Sequence, residues 1–170
     1  MARTIVLVRH SKAQGARPGL SDSERPLVPG AAEALAEALP RAFALLDAGD
    51  ETARVWVSPA LRARQTAEEV VAALDANGVA CREEEREYLF YQDQEAFLDD
   101  IEDTPDDSVI VAVGHIPFME DVLERLTGEC ISFTPGSVAA VTLPGSPRTQ
   151  IPEGDVLWYV RGPKVAKPRG

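Results

Sequence analysis

Histidine and cysteine are scarce in this 170-residue chain, cations are outnumbered, and no long apolar run occurs. Each shortage excludes something. The two cysteines, Cys81 and Cys130, stand far apart with no CxxC pairing or metal-ligand spacing, so neither a disulfide scaffold nor a zinc ribbon is expected. Two reduced, mostly buried thiols in a cytoplasmic protein are the expectation. The apolar run Ile5–Val8 is too short for a signal-peptide core and ends on a charge, and no stretch has the length of a membrane span. With 17 basic against 28 acidic residues, net charge −11 and pI near 4.6, the chain is a poor partner for nucleic acid, which is bound through clustered Lys and Arg. The carboxylates are plentiful but form no ligand motif, so neither metal nor other cofactor is expected.

What remains describes a globular domain. Hydrophobic content of 45% with 26% charged residues is ordinary for a soluble fold, and the length suits one domain, expected to be monomeric. Strand and helix signals alternate. Thr4–Arg9 and Val109–Gly114 are β-branched and aliphatic up to their last residue, as strands buried on both faces of a parallel sheet are. Weaker strands are expected at Arg54–Val57, Val79–Arg82, Ser137–Leu143 and Val156–Val160. A first helix is expected over 31–46, kinked or split by Pro40. Ser58-Pro59 reads as a cap and first-turn proline for a second helix over 60–76, closed by Asn77-Gly78. Further helices are expected over 94–101 and 117–127, the last closed by Gly128. The charged stretch Glu83–Asp93, with its Tyr88, Leu89, Phe90 and Tyr91, reads as a packed loop. The alternation implies a single α/β domain with a mostly parallel central sheet and helices on both faces.

Both histidines stand directly at the ends of the two strongest strands: His10 after Arg9, His115 after Gly114. In open α/β sheets ligands bind beyond the carboxyl ends of the strands, so two imidazoles placed there can face one pocket. A third strand end, at Ser58, leads into a helix that carries Arg62 in its first turn, where free N–H groups favour an anion. Arginine dominates the few cations, and its planar fork suits phosphate oxygens.

The segments VRHSKA, SPALRARQTA and VGHIPFMEDVLERLTG resemble the histidine phosphatase superfamily, and Ser21-Asp22-Ser23-Glu24-Arg25-Pro26-Leu27 resembles the Asp-x-x-Arg-Pro-Leu loop of its SixA-like branch. The resemblance implies a three-layer, phosphoglycerate mutase-like fold over residues 1–160, with a tail over 161–170 that has little to bury and is expected to fray. It implies a nucleophile at His10 that becomes phosphorylated, and a phosphate pocket of Arg9, Arg62 and His115, with Ser11 and Arg25 as further phosphate or substrate contacts. Ser11 stands where the family usually has glycine. The general acid used by larger relatives has no obvious counterpart; Glu83, Glu84, Glu85 and Glu87 lie in the right region, and Glu87, beside the aromatic cluster, is the first choice. The implied activity is a metal-independent phosphatase acting on phosphohistidine in a protein. A phosphatase for a small phosphorylated metabolite and a catalytically silent phosphate-binding module are the alternatives.

Overall fold

The two apolar runs that end in histidine lie side by side at the centre of a six-stranded sheet. The computed structural model describes residues 2–166. Its strands are β1 (Arg3–Arg9), β2 (Ala53–Val57), β3 (Cys81–Glu85), β4 (Val109–Gly114), β5 (Val138–Leu143) and β6 (Asp155–Val160), in spatial order β3-β2-β4-β1-β5-β6. The pairs β3–β2, β2–β4 and β4–β1 are parallel, while β5 and β6 add an antiparallel edge. The five helices are α1 (Ala31–Phe43), α2 (Leu61–Ala76), α3 (Glu87–Tyr91), α4 (Gln94–Glu102) and α5 (Phe118–Thr127).

Side chains alternate across a strand, so each central strand feeds two cores. Val6, Val8, Val55, Val57, Val111 and Val113 pack on one face with Leu35, Leu39 and Phe43 of α1 and Val70 and Leu74 of α2. Ile5, Leu7, Trp56, Ile110 and Ala112 pack on the other with α4 and α5. This is the three-layer α/β arrangement expected from the continuous apolar runs.

Several local expectations are corrected. α1 runs through Pro40 but stops at Phe43, three residues earlier than the apolar pattern suggested, where Leu45 and Leu46 N–H bond Ala42 O and Phe43 O in a tighter final turn. The stretch read as a packed loop is instead the end of β3 followed by α3. Strand β3 is an edge strand held by backbone pairing to β2, which needs no apolar face, so its charges stay toward water. Cys81 is half-buried and Cys130 exposed, rather than both being buried.

Of the tail, residues 161–166 are described. The Gly162 N–H donates to Ser137 Oγ at 3.0 Å, and Val165 packs against the α1 core. Residues 167–170, where the rest of the expected fraying would fall, lie outside the described ones.

Candidate active site

Parallel pairing fixes the registry of the site. Arg9 is opposite Gly114 and Val57 opposite Val113, so three strands end level with one another. The ladder then continues one residue further at each end: His10 N–H donates to Gly114 O at 2.8 Å and Ser58 N–H to Val113 O at 3.0 Å. The two imidazoles consequently meet, ring centroids 5.1 Å apart and edge to face. Opposite them Gly136, in the left-handed region at φ 80°, turns the chain so that its N–H reaches both Arg9 O and His10 O at 3.1 Å.

Together these ends form a cleft of about 430 Å³ whose walls include Arg9, His10, Ser11, Arg25, Arg62 and His115. Six of the seven residues picked out from sequence are therefore brought together. Glu87 is not. It is exposed at the first position of α3, and that short helix turns Leu89 into the core and Phe90 onto the cleft instead. Tyr88 O–H and Arg86 Nε both donate to Asp100 Oδ2, at 2.6 and 2.7 Å, which ties α3 to α4 in this orientation. Phe90 then packs edge-on against His115, 5.9 Å between centroids.

The hydrogen bonds define the protonation of each ring. His10 Nδ1 lies 2.6 Å from the Ser11 carbonyl oxygen, which can only accept, so Nδ1 carries the proton and Nε2 keeps the lone pair. Burial lowers the His10 pKa to about 4; the Ser11 bond opposes this, and the charges of Arg62, Arg9 and Arg25 add to it. Burial, then His10 and Arg62, lower His115 to about 3. Both rings are neutral at pH 7.

Ser58, read from sequence as a helix cap, has a different task. The helix begins at Leu61 with no side-chain cap, because Ser58 still belongs to the strand ladder. Its fully buried hydroxyl accepts from Ala60 N–H at 3.3 Å and lies 2.8 Å from His115 Nε2. A buried hydroxyl proton needs an acceptor, and His115 Nε2 provides it. That leaves Nδ1–H of His115 as a donor.

The two arginines are anchored by part of their forks. Arg9 Nη1 donates to Phe133 O at 2.7 Å, and Arg62 Nη1 and Nη2 donate to Asp22 O and Oδ2 at 2.7 and 3.1 Å. Asp22 Oδ1 accepts in turn from Arg25 Nε at 2.9 Å, so the Asp-x-x-Arg loop is latched onto α2 through Arg62. Three buried polar atoms, Arg9 Nε, Ser11 Oγ and Arg62 Nε, have no partner, and all three belong to residues that line the cleft. Leaving such groups unpaired costs about 1–3 kcal/mol each, more for charged ones, and here that cost is concentrated in residues of the cleft wall. Asp22 is its only carboxylate. Desolvation raises the Asp22 pKa, but hydrogen bonds and charge from Arg62 and Arg25 outweigh it and hold the group below its ordinary value. It stays ionised and has no proton to give. Among the described residues no three His, Cys, Asp or Glu side chains cluster as a metal site, and no helix is long and apolar enough to cross a membrane.

No family model matches the chain, and no curated protein matches it. Solved structures do. The fold is phosphoglycerate mutase-like, and it is shared with solved structures of SixA phosphatases. It is similar to SixA from Nakamurella multipartitia, with 24% identity over 95% of this chain and 97% of that one and a TM-score of 0.71. It is also similar to the protein histidine phosphatase SixA complexed with tungstate, 26% identical over 93% and 96% with TM-score 0.69. A phosphoglycerate mutase from Bacillus anthracis is more distant, at 14% identity over 91% of each chain and TM-score 0.59.

The imidazole pKa values make a direct prediction. With two histidines in the chain, both titrations are readable by NMR, and both midpoints are expected well below the ordinary value of about 6.5. Between about pH 6.5 and 4 the unfolded chain then binds more protons than the folded one. Stability from these rings is present above about pH 6.5 and is lost as pH falls toward about 4 for His10 and about 3 for His115. A midpoint near 6.5 for either ring would mean that it is solvated rather than enclosed.

Proposed function

We propose that this protein is a metal-independent phosphatase that removes the phosphoryl group from phosphohistidine in a partner protein. What carries the reading is a neutral His10 with its lone pair on Nε2, in a cleft lined by Arg9, Ser11 and Arg62, each of which has a buried polar atom awaiting an acceptor or donor. Phosphoryl transfer asks mainly for in-line positioning and charge stabilisation, and this set of groups supplies both.

His10 Nε2 attacks phosphorus while the P–N bond to the substrate breaks and its electron pair returns to the leaving nitrogen. Arg9, Arg62 and His115 Nδ1–H hold the three equatorial oxygens. Water then attacks the phosphoryl group on His10; the new N–P bond breaks, Nε2 regains its pair, and inorganic phosphate leaves.

Among the described residues no protonated carboxyl lines the cleft, which favours a substrate that needs no acid to leave. A phosphorylated imidazole that is protonated on its other nitrogen departs as neutral imidazole, whose conjugate acid has a pKa of about 6.5. It needs no proton from the enzyme. An alkyl phosphate must expel a far more basic alkoxide, and ionised Asp22 cannot assist it. The exposed charge of Glu87 stands outside the cleft. The protein is assigned to the cytoplasm as a monomer, in keeping with two cysteines that are not joined in a disulfide.

The test is a turnover comparison across a phosphohistidine protein, phosphoramidate and a panel of sugar phosphates. The kcat/KM for the phosphohistidine protein is expected to exceed that for any sugar phosphate by at least about tenfold, ~1.4 kcal/mol in the barrier. Efficient hydrolysis of one sugar phosphate, with the phosphohistidine protein untouched, would promote the metabolite phosphatase in its place.

A further inference from the structure

A second groove opens beside the cleft and shares Lys12 and Pro135 with it. It has a volume of about 360 Å³ and lies between the 134–135 turn and the segment 161–165. Its wall carries Lys12, Arg161 and Lys164 and no carboxylate. In a chain of net charge −11 that composition stands out: three other surface pockets formed by the described residues each contain Glu or Asp. The chain has only three lysines, Lys12, Lys164 and Lys167, and two of them line this groove. All three cations of the groove are exposed, and among the described residues none of them is in an ion pair, unlike Arg25, Arg62, Arg86, Arg125 and Arg148.

The groove is also fixed in place. A Cβ on Gly162 would run into the Pro135 carbonyl, so the two backbones are in close contact there. Gly162 N–H donates to Ser137 Oγ, and Ser137 Oγ lies 2.8 Å from Thr134 Oγ1 and 3.1 Å from Tyr159 O–H. The same turn holds Arg9 O and His10 O through Gly136 N–H. The basic groove and the cleft are thus two sides of one rigid turn.

We propose that this groove docks an acidic segment of the partner protein that flanks the phosphorylated histidine. The inference rests on the proposed phosphohistidine substrate and adds to it where, and by what charge, the partner is recognised. At long range the net negative charge repels an acidic partner, so recognition is local: carboxylates reach Lys12, Arg161 and Lys164 once the phosphoryl group is seated.

The probe is a pair of peptides that carry a non-hydrolysable phosphonate analogue of phosphohistidine, one flanked by Asp and Glu, the other by Asn and Gln. Binding is followed by fluorescence anisotropy at fixed ionic strength. The wild-type protein is expected to bind the acidic peptide at least about fivefold more tightly. Arg161→Gln/Lys164→Gln is expected to bind both peptides equally, with turnover of phosphoramidate and the melting temperature unchanged. Equal affinities in the wild-type protein overturn the groove, as does a preference that survives in the double variant. Should that variant fold poorly, Lys164→Gln alone carries the test, with a smaller loss of preference expected and an unchanged one overturning the proposal. If the true phosphohistidine peptides are not hydrolysed while the affinity difference holds, the substrate reading falls and the docking groove stands.

Discussion

Brief incubation with a phosphohistidine substrate and a rapid quench is expected to yield an acid-labile, base-stable phosphoryl group on His10, and His10→Ala is expected to abolish both this label and turnover. The expectation follows from the tautomer. The Ser11 carbonyl fixes the proton on Nδ1 and leaves the Nε2 lone pair free, and a pKa lowered to about 4 keeps it available across the physiological range, as the proposed nucleophile requires. The neighbouring ring is different in kind. Its Nε2 is engaged by Ser58 and its Nδ1 is protonated, so His115 has no free lone pair with which to attack. Label recovered on His115 would reverse the two roles, and turnover with no label on either ring would point to direct attack by water.

Much of this was legible before any coordinates. Central parallel strands are buried on both faces, which forces apolar runs such as Ile5–Val8 and Val109–Val113 and makes their ends, and so His10 and His115, easy to find. Arg62 was legible because it follows a third strand end by a fixed, short count. The parts that were missed depend on pairing across long stretches of chain. Ser58 sits beside a proline and a helix, which is the local pattern of a cap; only its ladder bond to Val113 and its contact with His115, 57 residues away, reveal its role. Asp22 finds Arg62 across 40 residues. The Glu83–Glu85 end of β3 is charged because an edge strand is held by backbone pairing rather than burial, so no periodic pattern marked it. Glu87 stands beside aromatic residues in sequence, but α3 buries Leu89, turns Phe90 onto the cleft and leaves both Glu87 and Tyr91 exposed.

Removing Arg62 or His115 should be nearly as damaging as removing His10, but for another reason. Both are assigned to charge that develops on the phosphoryl oxygens, and deletion of one such preorganised donor typically costs about 10²–10³ in rate, ~2.7–4 kcal/mol. Arg62→Ala and His115→Asn are therefore expected to fall in kcat by that factor. Ser58→Ala, which leaves His115 in place but frees its tautomer, should lose only about fivefold, in line with the ~1 kcal/mol of one buried hydrogen bond. The competing account is structural, because Arg62 and His115 are both 5% exposed and Arg62 also latches the Asp22 loop. Thermal unfolding separates the two. Asp22→Ala breaks the side-chain half of the latch, leaving Arg62 itself and its bond to the Asp22 carbonyl in place. If Arg62→Ala loses turnover far beyond Asp22→Ala at a similar melting temperature, the guanidinium acts on the phosphoryl group. If activity and stability fall together in both variants, Arg62 is a fastening for the loop, and phosphate binding must rest on Arg9 and His115.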